Sequence, residues 1–183
     1  MKRMELFAKG KRSLVYKEGN VIIKEERKDI QAVNRIENEA HWLQIVNKYK
    51  IGPRYIKHKD NKLYLEYIKG PNLEIFLKTA SKEKKIKIFK QLLEQAYVLD
   101  TIKVNKLEMH RVTKNAIVKK NKLILLDFER CKKFPFPKNV TQAVQFINRY
   151  LPNKELLQKA KNYKEAYSEK SFKELKKCLT NTL

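Results

Sequence analysis

The stretch Leu107-Glu-Met-His-Arg-Val-Thr-Lys-Asn-Ala-Ile-Val118, continued by Leu123-Ile-Leu-Leu-Asp-Phe-Glu129, decides how the chain is read. Its first half is a polar loop ending at Asn115. The apolar residues that follow form a strand, Lys120-Asn121 a turn, and Leu123 to Leu126 a second strand that delivers Asp127. An amide and a carboxylate are thereby held on two adjacent strand ends, twelve residues apart. Two oxygen ligands placed this way suit Mg²⁺ carried by a nucleotide, because that ion takes one or two protein oxygens and completes its shell with phosphates and water. Asp127 alone would equally serve as a cap for the turn after its strand.

The N-terminal third adds a second group of signals. Phe7-Ala-Lys-Gly-Lys-Arg-Ser-Leu-Val-Tyr16 reads as strand, Gly turn and strand, and Gly19-Asn20 as a hairpin turn into Val21-Ile-Ile-Lys24. Gly10 and Ser13 lie in the first turn, crowded by Lys9, Lys11 and Arg12, a set able to hold a polyphosphate. In Ile36-Glu-Asn-Glu-Ala-His-Trp-Leu-Gln-Ile-Val46, residues Ile36, Ala40, Leu43 and Val46 form a helical apolar face. Glu39 lies at the edge of that face, a carboxylate available to pair with Lys24. Glu37, two residues away, points to another side of the helix and is the competing choice. Both glutamates are also compatible with a solvated surface.

Ile51-Gly-Pro-Arg-Tyr-Ile56 reads as turn and strand, Asp60-Asn61 as a turn, and Lys62 to Ile68 as the next strand. Lys69-Gly-Pro71 breaks it, and a helix begins at Asn72. Ser81 caps the longest helix, Lys82 to about Ile102, whose stripe of Ile86, Phe89, Leu92, Leu93, Ala96 and Leu99 is core.

The order of these pieces over about residues 5 to 150 resembles a protein kinase. The loop ending in Asn115 and the Asp127-Phe128 pair match the order of the kinase signature. The chain looks most like the small archaeal serine/threonine protein kinases, relatives of the RIO-type and tRNA-modification-complex kinases. Its Asp-Phe-Glu ending is similar to that of the aminoglycoside and choline phosphotransferases. The resemblance implies an α+β fold of two reduced lobes, with a small antiparallel sheet and one helix followed by a mostly helical lobe. Residues 1–68 would be the nucleotide lid and residues 69–183 the helical lobe with the catalytic-type loop. It implies ATP and Mg²⁺ as cofactors, Lys24 on the α/β-phosphates, Glu39 orienting Lys24, and Gly10 and Ser13 beside the phosphates. The backbone from Glu66 to Ile68 would meet the adenine edge, and Asp127 and Asn115 would hold the metal.

The chain departs from that pattern in two places. The kinase loop carries its catalytic Asp five residues before the Asn; here that position is His110, with Glu108 two residues earlier. Only Gly10 stands where three glycines are usual. His110, an imidazole able to take up a proton near neutrality, or Glu108 would replace the missing base, and Arg111 and Lys114 would neutralise the transferring phosphate. The resemblance thus implies an atypical serine/threonine kinase acting on a protein acceptor or on itself. The alternative is a basic pseudokinase or RNA-binding scaffold that binds nucleotide without phosphoryl transfer.

Length and charge bound these readings. With 183 residues, the chain can bury a real core in one domain or two small lobes. The few residues after Glu129 leave no room for a long activation segment. Lys and Arg number 43 against 20 Asp and Glu, a formal charge of +23. Residues 101–140 alone hold eleven Lys or Arg against three acids, or +8. Such a field gathers anions, ATP and RNA among them. Cys131 and Cys178 lack zinc-ligand spacing, and no metal-ligand pattern joins His41, His58 and His110. Reduced thiols, the lack of a signal-peptide pattern and the lack of a membrane-length apolar run lead to the expectation of a cytoplasmic protein without a membrane partner. Val140, Val144, Ile147 and Leu151 resume helical spacing, and Asn153 to Leu183 reads as two further helices with Ser168 capping the second.

Overall fold

Alternating apolar and polar residues in the first third build a five-stranded antiparallel sheet. In the computed structural model, which describes residues 4–10, 13–27 and 34–180, its strands are β1 (Glu5–Lys9), β2 (Ser13–Glu18), β3 (Val21–Glu26), β4 (Tyr55–Lys59) and β5 (Lys62–Glu66), in the order β1-β2-β3-β5-β4. Gly19 turns β2 into β3 at φ 59°, and Asp60 and Asn61 turn β4 into β5 at φ 51° and 56°. Positive φ at both central residues is what a tight right-twisted hairpin requires, and Asn, Asp and Gly tolerate it best. Val15, Lys24 and Leu63 are register partners across three strands, so their side chains share one face of the sheet. Helix α1 (Arg35–Asn47) packs against β3, β4 and β5. β5 ends at Glu66, two residues short of the strand expected from the sequence, and the Tyr67 amide bonds instead to the Asn20 carbonyl at 2.9 Å.

The fold is α+β, with that small antiparallel sheet and six α-helices among the described residues. It divides into two compact units, residues 1–69 with 124–131 and residues 70–123 with 132–183. A single cut near residue 68 therefore misplaces the segment Ile124–Cys131, which returns to the first unit. Phe128 is the reason: its ring is fully buried and meets the backbone of Gly52 beside Leu43. A Cβ on Gly52, whose φ is +80°, would come within 3.0 Å of both side chains.

The second unit is mostly helical: α2 (Leu73–Thr79), α3 (Lys82–Thr101), α4 (Asn139–Asn148), α5 (Lys154–Ala166) and α6 (Glu169–Thr180). The expected caps form. Ser81 Oγ accepts from the Lys84 amide at 3.4 Å, and Ser168 Oγ from the Ser171 amide at 3.3 Å. Each satisfies one amide of a first turn that has no partner inside its helix. The expected apolar stripe of α3 is buried throughout. Helix α4 stops at Asn148, so Leu151 lies beyond it. Strands β6 (Val104–Asn105) and β9 (Lys132–Lys133) pair antiparallel; two-residue strands carry no periodicity and escape a sequence reading. Strand β7 (Ala116–Lys119) turns through Lys120 and Asn121, at φ 47° and 62°, into β8 (Lys122–Leu125). Gly70 is forced by close approach, since a Cβ there would lie 2.4 Å from the Val118 carbonyl oxygen.

Candidate functional site

Strand β3 carries Lys24 toward α1, and α1 answers with Glu39. Glu39 is 1% exposed and its Oε2 accepts from Lys24 Nζ, whereas Glu37 is exposed at the surface. Periodicity explains the choice, because Glu39 falls among Ile36, Ala40, Leu43 and Val46 on the buried side of the helix. The second oxygen, Oε1, accepts from the Phe128 amide at 3.2 Å. One carboxylate thus holds both the lysine and the turn that follows Asp127. Burial disfavours the ammonium of Lys24, but the Glu39 and Asp127 carboxylates outweigh it and hold its pKa above the ordinary 10.5.

Asp127 leaves the end of β8 with φ 62°. A non-glycine residue in that left-handed region costs about 1 kcal/mol, so the surrounding turn must impose it. Glu129 joins it from the same turn, its pKa pushed up by burial first and then by the Asp127 charge, while Lys24 and Arg35 act in the other direction. Arg35 Nη1 lies 3.5 Å from Glu129 Oε1. Asn38 Nδ2 donates to the Glu129 carbonyl at 2.7 Å and to the Cys131 carbonyl at 3.2 Å, and Asn38 Oδ1 accepts from Trp42 Nε1 at 3.0 Å. The start of α1 is itself anchored to the sheet, because Glu26 Oε1 accepts from the amides of Arg35 and Ile36.

The first unit therefore gathers Lys24, Arg35, Glu39, Asp127 and Glu129, three carboxylates and two cations, within a chain of net charge +23. Glu39 is committed to Lys24 and Phe128. Asp127 and Glu129 could supply oxygen to a divalent ion, whose charge would relieve the Asp127 repulsion that adds to burial in raising Glu129. Among the described residues no three His, Cys, Asp or Glu side chains form a metal cage. A pair of carboxylates beside a cationic lysine fits an Mg²⁺ that arrives with phosphates rather than one held by protein alone.

Gly10 and Ser13 face each other across the β1–β2 turn, the Gly10 amide donating to the Ser13 carbonyl at 2.8 Å, and Arg27 Nη1 reaches the Gly10 carbonyl at 3.4 Å. Lys11 and Arg12 lie outside the described residues. At the end of β5 the Glu66 amide bonds to the Arg54 carbonyl and the Tyr67 amide to Asn20, each at 2.9 Å, and the Ile68 side chain is buried. Glu108, His110 and Asn115 belong to the second unit. Glu108 is exposed with φ 69°, His110 and Asn115 are half-buried, and the segment between them is a 3₁₀ turn, Met109–Lys114. It is tighter than the open loop expected, because Met109 and Val112 bury their side chains.

That loop rests on a network that sequence reasoning missed. Asp100, fully buried at the end of α3, accepts through Oδ1 from the Asn139 amide (3.0 Å) and Asn139 Nδ2 (2.8 Å). Through Oδ2 it accepts from the Val140 amide (3.3 Å) and the Tyr163 hydroxyl (3.1 Å). Asn139 passes the connection on. Its Oδ1 accepts from the Lys106 amide at 2.9 Å and its Nδ2 donates to the Val104 carbonyl at 2.7 Å. Gln142 then accepts from the Met109 amide at 3.1 Å. Burial raises the Asp100 pKa from 3.8 to about 6 against the pull of the Asn139, Val140 and Tyr163 hydrogen bonds. It also pushes the Tyr163 and Tyr167 hydroxyls above their ordinary value.

No protein-family model matches the chain, and a comparison with curated proteins gives no significant match. No helix among the described residues is long and apolar enough to cross a membrane.

Proposed function

We propose that the chain is an ATP- and Mg²⁺-dependent phosphotransferase of reduced kinase-like fold, acting as an atypical serine/threonine kinase. One observation carries the proposal: a largely buried lysine on the third strand is paired with a helix glutamate whose other oxygen holds the turn bearing Asp127. In this reading Lys24 contacts phosphate oxygens and remains a cation at any physiological pH. Glu39 keeps Lys24 extended and fixes the Asp127 turn. Asp127, with Glu129 beside it, holds the metal that comes with the nucleotide. Bound MgATP supplies the transferable phosphoryl group, and positioning with charge stabilisation accounts for most of the rate in such transfers.

The acceptor side falls to the loop of the second unit. There His110, or Glu108, would take the proton of the acceptor hydroxyl, with Arg111 and Lys114 as cations on the same turn. His110 in the position usual for Asp favours one other reading, a pseudokinase that binds nucleotide without transfer. Calorimetry and radiolabel transfer separate the two. With MgATP at about 100 times its dissociation constant the wild type should gain about 2.7 kcal/mol of stability, and Asp127→Asn should lose the Mg²⁺-dependent part. Transfer from γ-labelled ATP to the protein itself or to a generic acceptor, above the Asp127→Asn background, selects the kinase. Binding without transfer selects the pseudokinase, and no binding of ATP or ADP at millimolar concentration refutes both.

A further inference from the structure

A basic groove between α4 and α5 lies wholly within the second unit and takes no part in the proposed phosphoryl transfer. It is open, encloses about 630 Å³, and has Lys138, Lys154, Lys161 and Lys164 along its walls with no carboxylate among the residues that line it. All four lysines are exposed, and none has an ion-pair partner among the described residues. Lys154, Lys161 and Lys164 follow one another at seven and three residues, on one face of α5, over roughly 15 Å of helix axis. Leu157 and Ala160 line the groove between them. Gln145 and Gln158 add amides that both donate and accept.

The groove runs into an aromatic platform. Lys138 stands two residues after Phe136, and Lys164 three residues before Tyr167. The Phe136 and Tyr167 rings meet edge to face at 5.7 Å, and the Tyr167 hydroxyl donates to the Pro137 carbonyl at 3.4 Å. Lys103 Nζ sits 4.6 Å from the Tyr167 ring centre and 5.6 Å from that of Phe136, and Lys132 Nζ 6.0 Å from that of Phe134. Phe136 is 66% exposed and Phe134 39%. Phenylalanines held in the open among lysines are not core residues, and they contribute nothing to a purely electrostatic anion site. Cations along a groove, with exposed rings at its end, are the two elements by which proteins hold single strands: phosphates follow the charges and bases stack on the rings.

We propose that the α4–α5 groove and the Phe134–Phe136 platform bind single-stranded nucleic acid. Phosphates run along Lys138, Lys154, Lys161 and Lys164, and a base stacks on Phe136. An acidic peptide would use the lysines but would gain little from the exposed rings. A duplex would present phosphates with its bases already stacked.

The test uses the full chain and a fluorescein-labelled twelve-nucleotide oligouridylate, read by anisotropy between 50 and 200 mM NaCl. Four phosphate contacts predict a weakening of about 50-fold over that range, from a log–log slope of about −0.7 per contact. The triple variant Lys154→Glu, Lys161→Glu, Lys164→Glu should flatten the slope by about 2. The charge-matched triple Lys82→Glu, Lys84→Glu, Lys87→Glu, on exposed positions of α3, should leave it unchanged. Phe136→Ala should weaken binding about tenfold without altering the slope, the effect of one lost stacking contact. It keeps the test independent of whether the groove triple folds, which circular dichroism checks. Equal effects of the two triples, or no effect of Phe136→Ala, overturn the proposal. So does competition by polyglutamate as strong as that by unlabelled oligouridylate, or binding of a twelve-base-pair duplex as tight as that of the single strand.

Discussion

Asp100→Asn should change how the stability of the second unit responds to pH. Asp100 is fully buried and its pKa stands at about 6 against an ordinary 3.8. A carboxyl group whose pKa is raised on folding binds its proton more tightly in the folded chain than in the unfolded one. Its contribution to stability is therefore complete below pH 3.8 and is lost as pH rises through about 6. At 1.36 kcal/mol per pH unit the displacement amounts to about 3 kcal/mol. Urea unfolding followed by far-UV circular dichroism, at intervals from pH 4 to pH 7.5, gives the wild-type curve and that of Asp100→Asn. Other carboxylates contribute to both curves and cancel in the difference. The variant should gain on the wild type by about 2.4 kcal/mol across this range, most of it between pH 4 and 6.5. Its amide can still accept from Asn139 and is insensitive to pH. Hydrogen-exchange protection of the Lys106 and Met109 amides, which donate to Asn139 and Gln142, should follow the same curve in the wild type and be flat in the variant. Two effects compete at this site: burial favours the neutral acid, and four hydrogen-bond donors favour the anion. A difference that does not vary with pH, or a wild type that gains on the variant as pH rises, would mean that the donors win and that burial does not set the protonation of Asp100.

Three further outcomes are expected. Glu39→Ala should cost about 3–5 kcal/mol, since it leaves Lys24 buried without its partner, while Glu37→Ala should stay within about 0.5 kcal/mol; urea unfolding followed by Trp42 fluorescence reports the unit concerned. Gly70→Ala should cost about 1–3 kcal/mol, because the added methyl falls against the Val118 carbonyl, and a thermal melt matching wild type would contradict that close approach. His110→Ala should lower phosphotransfer about 10²–10⁴-fold if the imidazole is the base, with MgATP affinity retained by calorimetry; the same loss in Glu108→Gln, with His110→Ala unaffected, would assign the role to Glu108.

What the sequence makes legible follows from local chemistry. Gly19-Asn20 and Asp60-Asn61 announce hairpins because few residues tolerate left-handed φ, and Ser81 and Ser168 announce helix starts because their hydroxyls meet amides three residues on. The Lys24–Glu39 pair is legible only in part: Glu39 sits at the edge of an apolar helical face, but residue types alone fit a solvated surface too, and the resemblance makes the choice over Glu37. Beyond this the signal fails in a regular way. Asp100 ends a helix as many aspartates do, and nothing within ten residues of it shows that Asn139, Val140 and Tyr163 will close around its carboxylate. Asn38 is one more polar residue on α1 until the turn at Glu129 to Cys131 presents two carbonyls to it. The return of Ile124–Cys131 to the first unit has the same origin: a Phe after an Asp is unremarkable until Gly52, seventy-six residues earlier, leaves room for its ring. Buried polar groups and close backbone approaches are satisfied by partners distant in sequence, so a single sequence shows the need without showing the answer. The same holds for Glu108, His110 and Asn115, whose residue types suggest chemistry while their positions depend on Asp100 and Asn139 beneath them. The support of that loop, rather than its own residues, is where a disabling substitution would be hardest to foresee from sequence.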